Sequence, residues 1–301
     1  MDFNAAMAQA WNEHADAPNE VAARWPALRS LVVDEAQIER LAGLMHHVHG
    51  AHLAEWQRGS DALQSLRTLA AFRDDGSSGQ ALRRTLASLA TCAGTTAAAE
   101  ALSPSDRIRV GAMAADNLGT HDPARAAALL RQTLDLAQRS GLPDNDPMHR
   151  SLAAAANSLA CTFEAKPDRT TDERSLMILA AQAARHHWER AGTWLEVERA
   201  EYRLAMTWLQ AGDPAQARQH AQACLEIVSA NQGAALERFF GWEALGAVER
   251  AAGNAVGHAR ALERARAAFG ELSADDQGWC RASLDKLAAD AAAIITSPAP
   301  G

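Results

Sequence analysis

Tyrosine occurs once in the 301 residues, at Tyr202, and lysine only twice, at Lys166 and Lys286. Aromatic residues make up 5% of a chain that is 48% hydrophobic, so alanine carries most of the apolar content. Alanine is the best helix former, and runs of β-branched residues are scarce, so the composition favours helix throughout. No stretch alternates apolar and polar residues long enough to read as a strand. No apolar run reaches the roughly 18 residues of a membrane span. The opening MDFNAAMAQAWNEHAD lacks the basic start and unbroken apolar core of a signal peptide. The four cysteines, Cys92, Cys161, Cys224 and Cys280, are far apart and form no C-x-x-C. They read as buried thiols in a reducing cytoplasm. Positive charge is short as well: the formal net charge is −8, which argues against nucleic acid as a partner, because phosphate binding wants a basic face. No nucleophile elbow, P-loop, dinucleotide fingerprint or H-E-x-x-H occurs. Asp74-Asp75 and Asp275-Asp276 are loop or cap pairs with nothing placed opposite them. The expectation is a protein without catalytic activity and without a cofactor.

What is present is a helical hairpin, clearest in Glu201 to Val228. Leu204, Ala205 and Trp208 fall on one side of a helix. Ala211-Gly212 supplies the left-handed stop that glycine allows. Asp213-Pro214 then supplies an N-cap and a first-turn proline. Ala217, Ala221, Cys224, Leu225 and Val228 give a second apolar stripe, built largely of small residues that let two helix axes approach closely. Variants recur. Leu159-Ala160-Cys161-Thr162-Phe163 parallels Leu204 to Trp208. Trp242-Glu243-Ala244-Leu245-Gly246 precedes a turn at Gly253-Asn254, and Met113-Ala114 precedes Asp122-Pro123.

With Leu204, Ala205, Trp208, Gly212, Ala217 and Cys224 at its landmarks, the arrangement resembles the tetratricopeptide repeat, TPR. Its anchors at 113, 159, 204 and 245 are spaced by 46, 45 and 41 residues. These steps exceed the family's period of about 34, so helices or loops must be longer. Glu201 stands where the pattern has its first tryptophan. The resemblance implies an all-α, TPR-like α-solenoid of stacked antiparallel hairpins over 104–270. The expected hairpins are 104–140, 147–191, 196–230 and 234–269. Residues 1–101 read as an irregular helical part in which 37–72 is a candidate divergent repeat. Within it, Pro26 is expected to kink or shorten a helix over Asn19 to Leu31, and 80–101 reads as one helix with a break near Gly94. A helix over 275–294 is expected to cap the stack, and 296–301 reads as a disordered tail.

Members of the TPR family contact ligands through outward-pointing residues of each first helix. Carried over by position, the resemblance assigns partner contacts to Asn157, Arg199, Tyr202, Met206, Gln210, Glu243 and Arg250, with Cys161 beside Asn157. Tyr and Arg are common at binding hot spots. The implied function is a cytoplasmic interaction module, or scaffold, that binds a protein or peptide segment. A second reading is a ligand- or peptide-sensing regulator, since TPR-like domains with longer repeats occur in bacterial signalling proteins. A third rests on His46, His49 and His52. At three-residue steps they would share one helix face, and imidazoles suit zinc, nickel or copper. Ligands from a second element are wanting there, so surface or packing histidines are the expected outcome. A fourth, an all-α enzyme, would need polar groups that converge in space without any mark in the sequence.

Overall fold

The computed structural model describes residues 2–296, and for 290–296 the backbone alone. The expected tail from 297 onward lies outside the described residues. Every regular element is helical: α1 (Phe3–Glu13), α2 (Pro18–Ala22), α3 (Trp25–Ser30), α4 (Glu35–His47), a π turn (Val48–His52), α5 (Trp56–Gln64), a short 3-10 turn (Ser65–Thr68), α6 (Ser77–Cys92), α7 (Ala97–Glu100), α8 (Pro104–Leu118), α9 (Pro123–Ser140), α10 (Pro147–Ala165), α11 (Thr171–Ala191), α12 (Trp194–Ala211), α13 (Pro214–Ala230), α14 (Ala235–Ala251), α15 (Ala255–Gly270) and α16 (Ala274–Thr296). The all-α class follows. None of these helices is long and apolar enough to cross a membrane.

Local chemistry sets the boundaries. Asp122 and Asp213 cap α9 and α13 with a proline just behind; Asp213 accepts hydrogen bonds from the backbone N–H of Ala215 and Gln216. Gly141 and Gly212 end α9 and α12 at φ 61° and 85°, in the left-handed region that glycine enters without a Cβ penalty. Thr170 with Glu173, and Thr193 with Glu196, form complete capping boxes at the starts of α11 and α12. Pro26 shortens its helix by separating α2 from α3, where it occupies the first turn.

The chain divides into two compact units, 1–159 and 160–301, with α10 carrying the chain from one into the other. In the first unit α1 to α6 close around one core, in which Met7, Ile38, Leu41, Leu44, Met45, Val48, Leu63, Leu66, Leu82 and Leu89 are fully buried. A smaller cluster joins Ile108 and Ala112 of α8 to Ala137, Met148 and Leu152. In the second unit α12 packs on α13, α13 on α14, α14 on α15 and α15 on α16, while α12 also touches α14, and α14 touches α16. The seam of α12, α13 and α14 is made of alanines, Ala205, Ala221 and Ala244. Beyond it lies an aromatic core of Phe239, Phe269, Leu262, Leu272, Leu284 and Leu287.

Phe239 is fully buried in that core. Phe239→Ala is expected to lower unfolding stability by about 3–5 kcal/mol, from lost burial plus the cavity left behind. Val256→Ala, at a residue 82% exposed, should change it by less than about 0.5 kcal/mol. Urea unfolding of both variants measures the difference.

Candidate functional site

The predicted contact residues of the second unit lie along α12 and α14, and the structure ties them to neighbouring helices. Arg199 is exposed and its Nη2 lies 3.2 Å from Oε1 of Glu237 on α14. The Tyr202 hydroxyl donates to Oε2 of Glu243 at 3.1 Å. Gln210 is exposed, and its Oε1 accepts from Nη2 of Arg169 at 2.9 Å. Met206 packs with Tyr202 against the alanine seam. Arg250 is half-buried, and its charge acts on Glu243. Asn157, half-buried on α10, falls in the first unit, whereas Cys161 falls in the second. Between these groups Arg203 pairs with Glu164, whose other oxygen accepts from the buried Thr207 hydroxyl. Residues expected to point outward thus spend much of their bonding capacity between first helices. The close approach across alanine brings them within reach of one another.

Burial and bonding set the electrostatics of this face. Burial pushes the Glu243 carboxyl up, opposed by the Tyr202 hydroxyl and by the charges of Lys286 and Arg250. Burial and the adjacent Glu243 raise the Tyr202 phenol well above its ordinary value. Glu201, at the position of the missing tryptophan, is buried and bridges Nε of Arg185 at 2.6 Å and Nδ1 of His220 at 2.7 Å. Burial works to raise its pKa, but the His220 and Arg185 hydrogen bonds outweigh it and hold the carboxyl below its ordinary range.

Sequence reasoning missed the aromatic row that crosses this face. The Tyr202 ring on α12 meets Phe240 on α14 at 5.6 Å, edge to face, and Phe240 meets Trp279 on α16 at 5.2 Å. Trp279 is 67% exposed. The one signal available was Trp279 itself, an aromatic near the start of a helix read only as a cap.

No model of a known protein family, no curated protein and no solved structure matches this chain. The site therefore rests on its own geometry.

The histidines of the first unit do not share the helix face that three-residue spacing predicts. His46 is buried, with Nε2 2.9 Å from the Ser88 hydroxyl and 3.0 Å from Nδ2 of Asn117. His49 is buried too; its Nε2 accepts from the Trp25 indole at 3.0 Å, and its Nδ1 lies 3.5 Å from Glu55. His52 turns away from both, because α4 widens into the π turn after His47. Leu53 N–H bonds back to the Val48 carbonyl, five residues earlier. The imidazoles that meet are His14, His47 and His52. A Cβ on Gly50 would lie 2.3 Å from Nδ2 of Asn117, so a larger residue within this turn would displace that buried amide.

A cavity of about 380 Å³ lies beside the last turn of α4, lined by His46, His47, Met113, Asp116, Asn117 and Ser158 among others. Burial pushes the Asp116 carboxyl up to about 7, against the pull of a hydrogen bond with Ser158. Such a carboxyl binds its proton more tightly folded than unfolded. Its contribution to stability is therefore complete below about pH 4 and is lost as pH rises through about 7. Asp116→Asn should accordingly gain stability over the wild type between about pH 4 and 7 and hold that gain at higher pH. Parallel urea titrations across pH 4–8 check this; a pH-independent difference would contradict it.

Proposed function

We propose that this chain is a non-catalytic protein- or peptide-binding module, built as a TPR-like stack of helical hairpins, working in the cytoplasm. Three features support the repeat reading. Aspartate-proline starts and glycine stops recur at the hairpin turns. Consecutive helices of the second unit pack in pairs. First helices α12, α14 and α16 touch in series.

The observation that carries the reading is the row Tyr202, Phe240, Trp279, one ring from each successive first helix, ending on a largely exposed indole. Such a row offers rigid apolar area at little cost in side-chain entropy. Glu243, which accepts from the Tyr202 hydroxyl, and Lys286, whose charge acts on Glu243, supply polar groups beside it. A peptide segment with an apolar or aromatic anchor fits this chemistry: the anchor meets the rings, and the peptide backbone finds donors and acceptors at the margin.

Selection of binders from a displayed random-peptide library, followed by affinity measurement, tests the proposal. Trp279→Ala should weaken the selected peptides by about 30-fold or more, the range of a hot-spot residue. Val256→Ala, at an exposed apolar position outside the row, should leave affinity unchanged. Equal affinity for wild type and Trp279→Ala would remove this face from the function.

A further inference from the structure

We propose that His14, His47 and His52 form a three-imidazole site for a divalent transition metal of the zinc class. The inference stands on the first unit alone and is independent of the partner-binding reading.

Two separate stretches of chain deliver the ligands, α1 and the continuous run of α4 and its π turn. His14 caps the C-terminus of α1, His47 is the last residue of α4, and His52 closes the π turn. One ring nitrogen from each lies within 4.8 Å of the others. Nε2 of His47 and Nε2 of His52 are 3.2 Å apart. A tetrahedral zinc ion with bonds of about 2.0–2.1 Å holds its nitrogens roughly 3.3–3.4 Å apart. One pair is therefore already at ligand spacing, and the third ring must close by little more than an ångström. The rings do not stack: His52 stands at 86° to both His47 and His14, with centroids 4.8 and 5.0 Å away.

The π turn is what makes the pair. Residues five apart on an α-helix diverge by about 140°, taking 100° per residue. A turn closed by five-residue hydrogen bonds brings the fifth residue back over the first. His47 and His52 are five apart. Further bonds fix the surroundings. Nδ1 of His14 meets the Trp11 carbonyl, an acceptor, so that nitrogen carries the proton and Nε2 keeps its lone pair. This is the outer hydrogen bond that orients a metal-ligating imidazole. Nε2 of His121 meets the Ala51 carbonyl at 2.9 Å and pins the turn from outside. The Trp11 ring lies 5.5 Å from His47 and 5.0 Å from His14 and walls one side.

Donor chemistry selects the ion. An all-nitrogen set suits zinc, copper or nickel and disfavours calcium and magnesium, which want oxygen. Each of the three residues is half-buried, shielded yet reachable. Three protein ligands leave the fourth position of a tetrahedral ion to water or to an added ligand.

The experiment uses the full chain without a histidine tag, stripped with chelator and titrated with Zn(II) by calorimetry and with Co(II) by visible absorption. The expected result is one equivalent of Zn(II), and Co(II) bands of tetrahedral intensity. His52→Gln and His14→Gln should each weaken Zn(II) binding by more than about a hundredfold, beyond the 10- to 100-fold typical of outer-shell changes. His186→Gln, on α11, should bind as the wild type does. His14 sits at the end of α1, so its variant keeps the test valid if His52→Gln unfolds, as circular dichroism would show. Less than about a tenth of an equivalent bound would overturn the proposal. So would stoichiometric binding that survives both substitutions.

Discussion

The second unit depends on how closely its helix axes approach, and alanine and glycine set that distance. Ala205, Ala221 and Ala244 meet in one seam, and a Cβ on Gly241 would lie 2.7 Å from Leu225. Larger side chains there would push the axes apart. The benefit is contact, and the penalty is area: alanine buries little apolar surface, so no helix hides its face against a single neighbour. Each must therefore be covered from two sides, as α12 is by α13 and α14. Close axes also let flanking side chains reach across, and this places Arg199 against Glu237 and Tyr202 against Glu243.

Acidic groups follow from the same spacing. Glu164, Glu201, Glu237 and Glu249 each meet an arginine from another helix: Arg203, Arg185, Arg199 and Arg218. The Arg218–Glu249 pair is two-pronged, with Nε and Nη2 at 2.7 and 2.8 Å from the two carboxylate oxygens. Ion pairs of this kind add little net stability over an apolar replacement, because desolvation offsets attraction. Losing one partner is another matter, since it strands a charge. The pairs are thus better placed to penalise wrong helix registers than to strengthen the right one. The near-absence of lysine fits this, because a guanidinium fork holds a carboxylate in one orientation where an ammonium does not.

Much of this was legible. Aspartate-proline starts and glycine stops are local chemistry, and they mark α9, α12 and α13 to within a residue or two. The helical class followed from composition. The candidate face was found only in part. Tyr202 and Glu243 were picked by position, but their mutual hydrogen bond and the arrival of Phe240 and Trp279 depend on packing between helices about 40 residues apart. Glu201 looked like a departure from the repeat pattern. The structure shows it buried, bridging Arg185 and His220, contacts that no single position announces. The histidines were misplaced for a sharper reason. A three-residue rule holds only while the helix stays α, and nothing in Val48–His52 except Gly50 signals a wider turn.

That wider turn stands against several local preferences. It ends α4 against the main core of the first unit, and Ala54 just beyond it sits at φ 51°, a region a non-glycine residue seldom enters. Features of this kind cost about 1–3 kcal/mol each and persist where surroundings hold them. Here the surroundings are specific: Asn117 seated against Gly50, Trp25 on His49, Ser88 and Asn117 on His46, and His121 on the Ala51 carbonyl. Strain by itself assigns no role. What gives it meaning is His14, which comes from α1 and owes nothing to the turn, yet meets the pair that the turn creates. A regular helix would have kept His52 away from His47 and left His14 facing one imidazole. The π turn exchanges that ordinary surface for a point where three rings converge.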